Sequence, residues 1–290
     1  MSRNLDIYEQ QVNIAAKKGV QIIVFPEDGI HGFNYSRMSI YPYLDFLPPS
    51  HLLPWNPCVE PDRFQDTEVI RAHSSSSVRK QKKISALQQG ELKCTNRAPL
   101  VNLPLNGRYQ FNTDVVFSDN GTLIASYFKQ NLYFEYSFDT PPQVQHVIFH
   151  TSFARFGLFT CFDILFYEPI VTLIEKHQVK HLVYPTAWMN QLPLLSSIQI
   201  QRAFATGFNI NILAANIHHT TLGMTGSGIF SPVGSSYHYD MDSENGQLII
   251  AKVPVVPSEE LYTGEDQVSF MKRVRHLKIM SYMVVLRHVM

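Results

Sequence analysis

The sequence predicts an α/β fold, and three stretches carry that prediction. An amphipathic helix is followed at once by an apolar run that ends in Pro26-Glu27-Asp28-Gly29. A second apolar run delivers Cys161 to its end, with a helical pattern after it. A third region reads strand, helix, strand over 181–215. Strands alternating with helices, with polar residues at the strands' carboxyl ends, are the pattern of layered α/β domains.

Leu5, Tyr8, Val12, Ala15 and Ala16 fall on one helical face, and Gly19 stands where a helix commonly stops. Val20 to Phe25 reads as the first strand. The loop from His31 to Phe64 is long and rich in proline and aromatic residues. Residues 71–97 hold seven Lys/Arg against one acid, Glu91, and include Ser74-Ser75-Ser76-Ser77. That stretch shows no strand pattern and reads as a solvated insert. Asn112–Ser118 and Thr122–Lys129 read as a hairpin turning at Asp119-Asn120-Gly121. Further strands are expected at Val144–Phe149, Arg155–Thr160, His181–Tyr184, Ile210–Ala215, Thr225–Phe230 and Gln247–Val253. Helices are expected at Glu168–His177 and Leu194–Gly207. After about residue 255, basic and apolar residues mix, and a poorly ordered tail is the reading there.

The 290 residues suffice for a large core, and the 45% hydrophobic and 17% charged content fits a globular chain. Lys+Arg and Asp+Glu balance at 24 each, which gives no reason to expect nucleic acid as a partner. No apolar run approaches the roughly 20 residues a membrane span needs. Cys58, Cys94 and Cys161 are far apart and form no zinc-ribbon spacing, and their odd number leaves at least one thiol outside any internal disulfide. Asn34-Tyr35-Ser36 and Asn120-Gly121-Thr122 are glycosylation acceptor triplets, yet no apolar leader precedes them.

Three strand ends together make a chemically complete set. A thiol with an ordinary pKa of about 8.5 needs a neighbouring base or cation to act at neutral pH. Glu27 can take a thiol proton and later activate water. Lys129, at the end of the hairpin, can stabilise a thiolate or an oxyanion. Each residue alone has a plain alternative: a loop acid, a surface lysine, a small buried cysteine. Gly226-Ser227-Gly228 lacks the spacing of a serine-hydrolase nucleophile. His218 and His219 are adjacent, so in a strand they face opposite ways and do not form a metal pair.

Phe25-Pro26-Glu27-Asp28-Gly29, Tyr127-Phe128-Lys129-Gln130-Asn131-Leu132-Tyr133 and Phe159-Thr160-Cys161-Phe162-Asp163 resemble the three catalytic blocks of the nitrilase, or carbon–nitrogen hydrolase, superfamily, in that family's order. Val20–Phe33, Gly107–Phe117 and Val183–Leu195 resemble its biotinidase and vanin (pantetheinase) branch. Ile30-His31-Gly32-Phe33-Asn34 and residues 185–193 look nearer to the biotinidase side. The resemblance implies a four-layer α-β-β-α sandwich over 1–253, incomplete at 71–106, with a non-homologous tail over 254–290. It implies a small-molecule amide substrate, a thioacyl intermediate on Cys161, catalytic Glu27 and Lys129, and no cofactor or metal. Biotinyl-lysine or biotinyl peptides are the implied substrates, pantetheine the alternative. Glu135 is similar to a second active-site acid, an ordinary loop residue being the other reading. Trp188 and Asn190 are expected at the acyl pocket, with core packing as the alternative for Trp188. The branch is secreted, with a leader, an early strand and a second β domain that this sequence does not show. An incomplete inner sheet and a catalytically silent module are therefore the competing expectation.

Overall fold

The computed structural model describes residues 2–44, 47–64, 90–92, 109–190, 196–257 and 279–285. The basic stretch 71–97, except for 90–92, lies outside these residues, as do Cys94 and most of the tail.

The opening helix α1 spans Ser2–Lys17. It buries Tyr8, Val12 and Ala15, leaves Ala16 exposed, and ends before Gly19, whose φ of 72° lies in the left-handed region. Strand β1 (Ile22–Val24) follows, buried on both faces. Alternation sorts its neighbours: Ile23 and Phe25 join Tyr8, Val12 and Ala15 of α1, while Ile22 and Val24 face the main core. One strand thus separates helix from inner core.

Strands β2 (Gly90–Leu92) and β3 (Tyr109–Phe111) pair antiparallel. The short β2 is a departure from the strandless reading of that stretch. Strands β4 (Thr113–Phe117) and β5 (Leu123–Phe128) form the expected hairpin, with Gly121 at φ 82° in the turn. Strands β6 (Val147–His150) and β7 (Arg155–Leu158) pair antiparallel. Next come α2 (Ile170–Glu175), β8 (His181–Thr186), α3 (Ser197–Gly207), β9 (Asn211–Asn216) and β10 (Ser227–Ser231). Strand β11 (Gly234–His238) had no sequence signal, because at the end of its sheet it has no fully buried residue and carries no apolar alternation.

These strands build a six-stranded sheet in the order β11-β10-β9-β8-β7-β6, with β7, β8 and β9 parallel. A three-stranded sheet faces it, formed by β1, β13 (Ile279–Val285) and β12 (Ile249–Pro254) in that order. Its strand β13 departs from the poorly ordered reading of the tail over those seven residues. The strand pairs parallel to β1 and antiparallel to β12, so it gives ladder partners to two strands that would otherwise present open edges to each other. Helices α2 and α3 pack on the six-stranded sheet. At Gly157 a Cβ would stand 2.8 Å from Leu182 Cδ2 and 3.2 Å from Val179 Cγ1, so glycine permits the close approach of β8 and the residues that lead into it. Helix, sheet, sheet, helices is the expected α/β sandwich.

The long loop 31–64 is pinned to this body. Arg37 makes a two-pronged ion pair with Asp139, at 3.0 and 2.9 Å, and Asp139 also accepts the Gln110 N–H at 2.7 Å. Trp55 exchanges backbone hydrogen bonds with Leu123 at the start of β5.

Candidate active site

Four strands end on one side of the sandwich around a cavity of about 390 Å³. Glu27 follows β1, Lys129 follows β5, Cys161 follows β7 and Ala187 follows β8, and all four line it. Ligands of open α/β sheets occupy such positions. Gly32, Phe33, Tyr35 and Ile40 of the pinned loop form one wall, and Tyr133–Phe138 another.

The Lys129 side chain is 1% exposed, which removes the reading of a surface lysine. Its Nζ donates to Glu27 Oε1 at 2.6 Å and to Glu135 Oε1. Burial disfavours the ammonium, but Glu27 and Glu135 outweigh it and hold its pKa well above the usual lysine value. Asn112, at 2% exposure, donates one amide nitrogen to both acids, 2.7 Å to Glu27 Oε1 and 2.7 Å to Glu135 Oε2. The Ala187 N–H donates to Glu27 Oε2 at 3.0 Å, and the Tyr133 N–H to Glu135 Oε1 at 3.1 Å. Burial raises the Glu27 pKa, with Lys129 opposing.

Cys161 sits at φ 46°, in the left-handed region that a side chain rarely adopts. It opens a short 3₁₀ turn, Cys161–Leu165, directly after β7. A buried polar frame holds this turn. The Thr160 N–H and the Tyr127 hydroxyl donate to Asp163 Oδ2 at 3.1 and 2.7 Å, and Asn131 donates twice to Oδ1. The Thr160 hydroxyl donates to Asp114, and the Tyr184 hydroxyl to the Cys161 carbonyl at 2.9 Å. Burial pushes the Cys161 thiol well above its ordinary value, the Glu27 charge adds to this, and Lys129 opposes it. With its pKa pushed up, the resting sulfur is a thiol, sharing the cavity with Glu27 and Lys129.

Of the residues singled out in the sequence, Glu27, Lys129, Glu135 and Cys161 come together at this cavity. Trp188 and Asn190 do not line it. Trp188 is 5% exposed within the core, and its backbone pairs with Asn216. The Asn190 amide accepts the Ser197 N–H at 2.9 Å at the start of α3 and donates to Thr225 O. In this extended segment the side chains alternate, so Ala187 and Met189 face the cavity while Trp188 and Asn190 face away. Asn112, Met189 and Met224 were not singled out. Their position follows from strand pairing, such as the bridge between Met189 and Met224, which no local motif reports. His218 is buried against Ser243 O and the Thr225 hydroxyl, and His219 reaches Thr221. Asn34 and Asn120 are both exposed.

The Carbon-nitrogen hydrolase family model matches residues 1–256. Mouse (Mus musculus) biotinidase is 58% identical over 265 residues, covering 91% of this chain and 51% of that protein. Bovine (Bos taurus) pantetheinase is 46% identical over 259 residues, covering 89% and 50%. The chain spans about half the length of the curated relatives it matches. Among solved structures, Saccharomyces cerevisiae Nit3, a member of branch 10 of the nitrilase superfamily, superposes with a TM-score of 0.56. It is 19% identical and covers 80% of this chain and 77% of that one, which supports the fold. With the matched family model and these relatives beside a cavity that joins Glu27, Lys129 and Cys161, the chain belongs to the carbon–nitrogen hydrolase family.

Proposed function

We propose that the chain is an amidohydrolase that cleaves a linear, non-peptide amide through a thioacyl intermediate on Cys161, with biotinyl-lysine or a biotinyl peptide as substrate. The observation that carries this reading is the single cavity shared by a thiol, a carboxylate and an ammonium from three distant strand ends. Because the thiol is protonated at rest, attack requires a base in contact with it. Glu27 takes the Cys161 proton as the sulfur adds to the amide carbonyl carbon. Lys129 and adjacent backbone N–H groups stabilise the oxyanion. Glu27 then gives its proton to the leaving amine, the C–N bond breaks and the thioester remains. Glu27 next deprotonates a water molecule that attacks the thioester, the carboxylic acid leaves and the thiol is restored. Lys129, Glu135 and Asn112 hold Glu27 in register for both halves.

The cavity's size and its largely apolar, aromatic walls suit an acyl chain ending in a compact ring. The higher identity to biotinidase than to pantetheinase favours the biotinyl over the pantetheinyl amide. Incubating the purified chain with biotinyl-lysine and, separately, with pantetheine tests this. Faster release of biotin, abolished by Cys161→Ala, is the expected result. Release from pantetheine alone selects the alternative substrate. No release from either, with Cys161→Ala indistinguishable from the parent, selects a silent module instead.

Exposed Asn34 and Asn120 are read as glycan acceptors of a chain on a secretory route. A mobility shift on endoglycosidase treatment, lost in Asn34→Gln and Asn120→Gln, checks this.

A further inference from the structure

Thr186 is the last residue of β8 and is fully buried. Its hydroxyl is among the buried polar atoms with no hydrogen-bond partner. Such an orphan is costly in a folded protein and calls for an explanation. The strand gives its direction. Side chains alternate along β8, so Thr186 points to the same side as Tyr184, whose hydroxyl bonds the Cys161 carbonyl. The Tyr184 ring stacks on Phe159, two residues before the nucleophile, with centroids 4.7 Å apart. The Thr186 hydroxyl therefore stands on the Tyr184 side of β8, against the Cys161 turn and opposite the cavity-facing Ala187 and Met189, close to the sulfur and to the Tyr184 hydroxyl, whose own proton is committed.

We infer that the Thr186 hydroxyl is a hydrogen-bond donor held in reserve for the Cys161 thiolate. The inference rests on the reading of Cys161 as nucleophile. The other donors near the sulfur are shared: Lys129 Nζ gives two of its three N–H groups to Glu27 and Glu135, and the Ala187 N–H bonds Glu27 at 3.0 Å. A neutral thiol is a weak acceptor, so the hydroxyl, although it reaches toward the sulfur and the Tyr184 oxygen, makes no hydrogen bond of ordinary length and angle in the resting state. When the proton passes from sulfur to Glu27, the sulfur becomes an anion and the hydroxyl acquires a strong acceptor. A donor unpaired at rest and paired as charge develops lowers the barrier, rather than merely stabilising the ground state. The charged and titratable groups facing the sulfur are Glu27 from β1, Lys129 from β5 and Tyr184 from β8. Asp114 and Asp163 lie behind the turn.

The test follows alkylation of Cys161 by iodoacetamide across pH 6–10, read on the Cys161 peptide by mass spectrometry. It needs no amide turnover, so it separates this inference from the substrate reading. Thr186→Val keeps the side-chain volume without the hydroxyl, Thr186→Ala is a second variant lacking it, and Thr186→Ser keeps it. The expected result is alkylation slowed tenfold or more at neutral pH in Thr186→Val and Thr186→Ala. Their profiles shift to higher pH, since a charged hydrogen bond of ordinary strength is lost, and Thr186→Ser matches the parent. Thermal melting of Thr186→Val at or above the parent shows that the loss is not one of folding. An unshifted profile in either hydroxyl-free variant that folds overturns the inference. So does a Thr186→Ser profile that follows Thr186→Val, because the methyl group rather than the hydroxyl then matters.

Discussion

Lys129 sets the clearest energetic test, because its ammonium is buried between two acids. In Lys129→Met the volume stays close to that of lysine while the charge vanishes. Glu27 and Glu135, joined by the single amide nitrogen of Asn112, then face each other without a cation. Breaking a buried pair from one side costs about 3–5 kcal/mol. For a domain of this size that corresponds to a fall in melting temperature of about 10 °C. The pH dependence gives the sign. Burial already raises the Glu27 pKa, and Lys129 is what opposes that rise. Without the ammonium the Glu27 pKa climbs further, so the folded variant keeps a proton that the unfolded chain has released. Its stability is then fully present below the ordinary glutamate pKa of about 4.3 and is lost as pH rises through the raised folded value. Thermal melts of parent and variant from pH 4 to pH 8 should therefore diverge, with the deficit smallest at pH 4. Adding Glu135→Gln should recover part of the loss at pH 8, because it removes one of the two stranded charges. A variant that melts within a degree or two of the parent at every pH would show that the lysine is not buried between these carboxylates.

Burial holds the Asp114 carboxyl well above the usual aspartate range, so Asp114→Asn mimics its protonated form and still accepts from Thr160. The variant should match the parent near pH 4 and melt at or above it at pH 8, and a deficit of several degrees at all pH values would contradict the protonated state. Trp188→Ala should cost about 3–5 kcal/mol in denaturant unfolding, as a core aromatic does, while Met189→Ala should shift acyl-chain preference with little loss of stability. The reverse assignment of these two effects would place Trp188, not Met189, at the substrate.

The strand ends that bring Glu27, Lys129 and Cys161 to one cavity were legible because each follows an apolar run that must be buried. Ile22–Val24 fixes where Glu27 emerges, the hairpin through Gly121 fixes Lys129, and Arg155–Leu158 fixes Cys161. The walls of the cavity were not legible. Whether Trp188 or Met189 faces inward is a matter of strand parity, which changes with a shift of one residue and is set by pairing with Met224. Asn112 looks locally like any strand asparagine, and only the approach of β1 to the hairpin gives its amide two acids to bridge. Strands β11 and β13 escaped for related reasons. Gly234–His238 is mostly polar, and Ile279–Val285 sits among basic residues that masked its apolar and aromatic content.

The most direct measurement is the mass of the Cys161 peptide at successive short times after mixing with a biotinyl amide and quenching in acid. The mechanism predicts a biotinyl adduct on Cys161 that is chased to free biotin in the parent. Biotin release with no adduct at Cys161, or release that persists in Cys161→Ala, would contradict it.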